Sequence, residues 1–171
     1  LKVAEMHLAG LMFKTMLYCG LRTGAVVALS WKDVDFKNHM IIVVAAMESG
    51  KDELKAPKTA AGIRKVPIPD EIYDALLEHK GEPSEPGFTQ PTTGKRHTES
   101  SRNKAWRNII REMDLFMGAE LYRNQVKNSV IAKDLCPYCL RHTYCTDLQL
   151  TAKPIESAIS PVLSTGPCGF H

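Results

Sequence analysis

The richest chemistry in this chain sits in Leu135–Gln149, L-C-P-Y-C-L-R-H-T-Y-C-T-D-L-Q. Near its centre, Arg141 carries a guanidinium that cannot shed its charge when taken out of water. An arginine beside a core therefore holds an anion, either a carboxylate of the fold or a bound ligand, and this stretch alone leaves both open. Two other cations stand where a site could be reached. Arg22 falls at a turn between two predicted helices. Lys58 lies beside a predicted hairpin turn, where a lysine by default is a solvated charge guarding a sheet edge.

The same stretch suggests two further chemistries. Cys136-Pro137-Tyr138-Cys139 is the active-site tetrapeptide of glutaredoxins, a motif that opens the first helix of a thioredoxin-like domain. Only 32 residues of the 171 follow Cys139, too few for the rest of such a domain. Cys136, Cys139, His142 and Cys145 have the composition of a zinc quartet. A strict three-residue step spreads four ligands along one helix, whereas structural zinc sites draw ligand pairs from separate elements. No metal and no cofactor is expected.

The elements that must position these groups follow from pattern. Pro137 suits a first helical position, and Asp134 sets a carboxylate near the positive end of that helix. Leu140, Tyr144 and Leu148 then form an apolar stripe one turn apart, with Arg141 beside it. Lys2–Cys19 reads as a helix with Val3, Leu8, Leu11, Met12, Thr15 and Met16 on one face and Gly20 as its C-cap. Thr23 is placed to cap a short helix over Gly24–Leu29. Trp31 and Val34 read as core.

A β region follows. Met40–Ala46 is a β-branched run expected to be a buried strand. Lys55–Thr59 and Ile63–Ile68 are expected to pair as a hairpin around Ala60-Ala61-Gly62, with Pro67 marking an edge. The expected fold class is α+β, mainly α-helical with a small three-stranded antiparallel sheet. Asp70–Lys80 reads as a helix with Ile72, Leu76 and Leu77 at helical spacing, followed by a Pro/Ser/Thr/Gly loop to Gly94. Thr98 is placed to cap a helix reaching about Leu115, with Trp106, Ile109, Ile110 and Met113 inward. Six lysines and arginines lie between Lys95 and Arg111 against one acid, Glu99. On a helix Arg96, Lys104, Arg107 and Arg111 largely share an outer face, which is either a solvated surface or a nucleic-acid contact. Phe116–Lys133 is read as a long loop or a further short helix.

Composition narrows the class. A hydrophobic fraction of 44% and a charged fraction of 24% are those of a globular domain with a real core. The longest apolar run, Met40–Met47, is too short to span a bilayer, and no secretory leader opens the chain. Five irregularly spaced cysteines favour reduced thiols and a cytoplasmic location. Net charge +3 permits a nucleic-acid partner without requiring one. Leu1 in place of Met fits a piece of a longer protein.

Three motifs in order resemble the catalytic domain of tyrosine recombinases, the phage integrase family. They are G-L-R-T-G-x-x-x-x-L-x-W-x-D-V-D from Gly20, K-T-x-x-x-x-R-x-V-P-I-P from Lys58, and P-Y-C-L-R-H-T-Y-x-T from Pro137. The resemblance covers Leu1 to about Leu150, leaving 151–171 as an atypical tail. It implies a mainly helical catalytic half with a small sheet at one side. It also implies double-stranded DNA as partner, a tetramer on DNA, and strand cleavage and rejoining through a 3′-phosphotyrosine. Arg22 and Arg141 would clamp the scissile phosphate and Lys58 would protonate the leaving 5′ oxygen. Tyr138 stands where the family usually has His.

The resemblance breaks at four places. Ala25 replaces an acid, and Tyr138 replaces that His. The tail lacks the family's L-G-H block, and no tyrosine follows Tyr144. Two expectations follow: a strand-exchange enzyme whose chain here is incomplete and forms no covalent adduct, or a recombinase-like DNA-binding remnant. The family's upstream core-binding domain is expected to lie outside these 171 residues. A helical fold with no DNA role is the plainest alternative.

Overall fold

The computed structural model describes residues 9–48, 50, 53–56, 63–123 and 125–151. Helix α1, Gly10–Cys19, buries Met12, Phe13, Thr15, Met16 and Cys19, the face its apolar spacing predicts. The buried hydroxyl of Thr15 is satisfied by donating to the Leu11 carbonyl at 2.8 Å. Gly20 ends the helix at φ 59° and ψ 26°, the left-handed conformation that costs glycine nothing. Helix α2, Thr23–Ala28, comes three residues later. Its N-cap is Arg22 rather than the expected Thr23, because Arg22 has extended backbone and its carbonyl accepts from Ala25 and Val26.

A 3-10 turn, Trp31–Asp33, leads into β1, Val34–Asp35. The Asp35 carboxylate accepts from the Asn38 backbone N–H (3.1 Å) and side-chain amide (2.6 Å), turning the chain back into β2, Met40–Val43. Beyond β2 the expected single strand divides. Ala46–Met47 is a separate strand, β3, paired with β4, Leu54–Lys55. Arg64–Pro67, strand β5, pairs with β2.

The three-stranded antiparallel sheet thus exists with order β1-β2-β5, and its third strand is Val34–Asp35 rather than the expected Lys55–Thr59. Val34, Ile41 and Val66 align across it as one buried row. Pro67 sits on an edge strand, as its missing N–H requires. The expected hairpin turn at 60–62, and Lys58 with it, lie outside the described residues.

Helix α3, Asp70–Glu78, buries Ile72 and Leu76 and leaves Leu77 45% exposed, so its inward face is narrower than the spacing predicts. The Pro/Gly loop after it is tied to the 3-10 turn by backbone bonds from Trp31 to Glu85, Lys32 to Pro83 and Gly87 to Leu29. Helix α4, Glu99–Phe116, starts as expected, with the Thr98 hydroxyl accepting from the Ser101 N–H. Ile109 is buried, while Trp106 and Met113 pack on the core from its margin.

Residues 116–133 form neither a plain loop nor a helix. They hold a hairpin of β6, Glu120–Tyr122, and β7, Gln125–Lys127. The segment after it is fastened by buried Asp114, whose carboxylate accepts from Ser129 Oγ and from the Val130 and Ile131 N–H groups. Helix α5, Pro137–Thr151, packs chiefly on α1. No helix among the described residues is long and apolar enough to cross a membrane.

His97 is buried beside the start of α4, with Nδ1 3.1 Å from Ser101 Oγ. Burial depresses its pKa below the usual 6.5, opposed by a hydrogen bond with the Thr89 backbone and aided by the Arg102 charge. Below that pH the unfolded chain takes up a proton more readily than the folded one, so stability falls as pH falls through 6.5. The urea midpoint is expected to drop on acidification through this window, and His97→Gln is expected to flatten that drop.

Candidate functional site

Arg141 is fixed through the backbone of α1. Its Nη1 donates to the carbonyl oxygen of Gly20, one of the orphan acceptors at a helix C-terminus. One turn along α5, the ring of Tyr144 lies over Gly20 so closely that a Cβ there would collide with it. Gly20 is thus required twice, for its left-handed backbone and for the ring packed against it. Leu140 joins Tyr144 on the core side, but Leu148 is 42% exposed, so the predicted stripe ends one turn early.

Arg22 follows Gly20 by two residues and points outward from the N-terminus of α2, exposed between buried Leu21 and buried Ala25. The glycine two residues on has its own use. A Cβ on Gly24 would stand 2.6 Å from the Met47 carbonyl, so its absence lets β3 lie against α2. The turn carrying Arg22 is therefore gripped from two sides, by α5 at Gly20 and by β3 at Gly24.

A third guanidinium belongs to the same neighbourhood. Arg64 on β5 pairs with Val43, and strand alternation puts it with Val66 on the core-facing side, opposite to Lys65 and Pro67. It is half-buried. Burial lowers its pKa first, and the charges of Arg141 and then Arg22 lower it further. A guanidinium that is half-buried and faces two like charges stands where an anion is favoured. Arg64 is the arginine of the K-T-x-x-x-x-R-x-V-P-I-P motif, and the alternation Arg64, Val66, Ile68 along the strand sets it on the inward face.

The remaining expected residues divide. Lys58 lies outside the described residues, between β4 and β5. Tyr138 is 44% exposed, and its ring meets that of His142 edge-on at 4.6 Å and 86°. Lys104 and Arg107 are exposed along α4, and Arg111 is half-buried on the same helix. Arg96 does not share their outer face, because it precedes the helix. Its guanidinium donates to the Val27 carbonyl at 2.8 Å, the Leu29 carbonyl at 2.7 Å and Ser30 Oγ at 2.7 Å. A cation over the last carbonyls of α2 is favourably placed; burial lowers the Arg96 pKa, and the Asp33 carboxylate opposes that shift. Among the described residues no group of three or more His, Cys, Asp or Glu has the geometry to hold a metal ion.

A helical body flanked by a small antiparallel sheet is the architecture of a tyrosine-recombinase catalytic domain. The chain belongs to the phage integrase family, whose sequence profile matches residues 4–157. Prophage integrase IntR of Escherichia coli (strain K12) is 37% identical over 67 residues, covering 39% of this chain and 16% of that protein. A tyrosine recombinase XerC-like protein of Caldanaerobacter subterraneus subsp. tengcongensis is 38% identical over 72 residues, covering 36% of this chain and 18% of that one.

Solved structures share the fold. The Tn1549 transposon integrase, in complex with transposon right end DNA, superposes with a TM-score of 0.68 at 20% identity over 87% of this chain and 50% of its own. XerA recombinase gives 0.62 at 18% identity, over 91% and 47%. The chain thus spans about half the length of these structures and under a fifth of the curated relatives.

Arg96→Ala is expected to remove three charge-assisted bonds and leave two backbone carbonyls and a hydroxyl to find other partners. Chemical denaturation should read a loss of about 2–4 kcal/mol.

Proposed function

We propose that this chain is the phosphate-gripping catalytic domain of a site-specific DNA recombinase or integrase, acting on double-stranded DNA. Arg22, Arg64 and Arg141 would hold the scissile phosphodiester. The observation that carries this reading is the half-buried Arg64 guanidinium lying within the fields of Arg141 and Arg22, a placement that a bound phosphate would favour. A phosphodiester under attack gathers negative charge on its non-bridging oxygens, and fixed planar donor forks offset that charge where it grows. Because Arg141 is anchored to Gly20, its position is set before the anion arrives.

Lys58 would donate a proton to the departing 5′ oxygen, a task suited to a lysine whose pKa neighbouring cations depress. The exposed Lys104 and Arg107, with Arg111, would follow the DNA backbone. Arg96 would act indirectly, by bracing the end of α2 behind Arg22. A tetramer on DNA, in the cytoplasm, is the assembly in keeping with this reading.

The nucleophile is a separate matter. Within the 171 residues no tyrosine follows Tyr144. Tyr144 itself is packed on Gly20, and burial raises its phenol pKa, followed by the fields of Cys19 and Cys145, against an opposing pull from Arg141. A phenol held protonated in this way is a poor nucleophile. The second reading, a DNA-binding remnant without cleavage, rests on this packing of Tyr144.

Two measurements test the proposal. Duplex affinity is expected to fall steeply with salt, and Arg141→Gln and Arg64→Gln are each expected to reduce the salt slope by about one unit. Unchanged slopes in both would remove these arginines from the phosphate site. Incubation with a nicked suicide duplex and denaturing electrophoresis is expected to give no covalent adduct from this polypeptide. A slow-migrating band would place a competent tyrosine among those present.

A further inference from the structure

The two cysteines of the C-P-Y-C tetrapeptide were given no role in the phosphate site, yet their sulfur atoms lie 3.5 Å apart. Cys136 is exposed and immediately precedes Pro137, the first residue of α5, while Cys139 is half-buried in the first turn. The Cys139 N–H donates to the Cys136 carbonyl at 2.9 Å, so the backbone between them is already folded as a turn. A disulfide requires sulfurs about 2.05 Å apart on Cα atoms roughly 4.4–6.8 Å apart. A tight turn meets the second condition, and side-chain rotation supplies the first without moving the helix.

The other described cysteines are poorer candidates. Cys19 is buried and its thiol is pushed up to about 12 by that burial, and Cys145 is half-buried two turns along α5. A co-reactant has an approach. Cys136 lines an open groove of about 840 Å³ between the starts of α4 and α5, together with Ser100, Asn103 and Arg107. Arg107 is an exposed cation suited to a carboxylate carried by a small peptide.

We propose that Cys136 and Cys139 are a site of reversible thiol–disulfide exchange with a low-molecular-weight peptide disulfide. This inference does not rest on the DNA reading, although Arg107 serves in both. The Cys136 thiolate attacks one sulfur of the small disulfide, whose S–S bond breaks and releases one small thiolate. That thiolate takes up the proton Cys136 gave to solvent, leaving a mixed disulfide. The Cys139 thiolate then attacks the Cys136 sulfur and expels the second small thiol. Two protein thiols are oxidised, one small disulfide is reduced to two thiols, and no further oxidant is needed.

The test treats the full chain with oxidised glutathione, quenches with an alkylating agent and maps the peptides by mass spectrometry. A peptide linked Cys136 to Cys139 is expected, with the far-ultraviolet circular dichroism of the reduced chain retained. Cys139→Ser is expected to stall with glutathione on Cys136, and Cys136→Ser to leave Cys139 largely unmodified. A stable glutathione adduct on Cys136 in the unaltered chain would overturn the proposal. So would an absence of modification, or a bridge formed instead to Cys145 or Cys168.

Discussion

The hydrogen bond from Arg141 to the Gly20 carbonyl is the constraint on which the rest of the site depends. It joins residues 121 positions apart and turns a helix C-terminus, where carbonyls lack intrahelical partners, into the seat of a fixed cation. Arg22 is only two residues beyond the acceptor. One bond thus brings the Arg141 guanidinium to the backbone turn that carries Arg22. Tyr144 on Gly20 supplies the packing that keeps α1 and α5 in register while the arginine supplies the direction.

Around that bond the fold gathers charge where hydrophobic burial alone would exclude it. Arg64 comes in on the core-facing side of the sheet, in line with Val66, and meets the fields of two other arginines. Arg96 shows the contrasting use of the same side chain. Its donors are consumed by two carbonyls and a hydroxyl at the end of α2, so its charge stiffens the scaffold rather than facing a ligand. The difference between the two is the partner each finds: backbone oxygens for Arg96, other cations for Arg64.

Much of the scaffold was legible because its causes are local. The buried face of α1, the left-handed Gly20, the Thr98 cap and the edge placement of Pro67 depend on side-chain period, backbone freedom and a missing N–H over a few residues. Where the reading failed, the deciding partner was distant. Met40–Ala46 was read as one strand, but the chain changes partner after Val43, going from β5 to β4. Thr23 resembled a cap, yet the extended residue is Arg22. The hairpin at 120–127 has no Asn-Gly or Gly-Gly turn to announce it, and the segment that follows it is held by the distant Asp114.

By itself the sequence determined the family's three motifs, the helical periods and the residue types capable of gripping a phosphate. Those are properties of neighbours along the chain, where sterics and hydrogen bonding act over one or two turns. Only the tertiary structure decided that Arg64 stands with Arg22 and Arg141, that Arg96 is spent on the fold, and that Val34–Asp35 completes the sheet. These outcomes depend on which surfaces meet across long sequence separations. No local preference records that, because the free energy deciding it comes from burial and pairing between elements rather than within them.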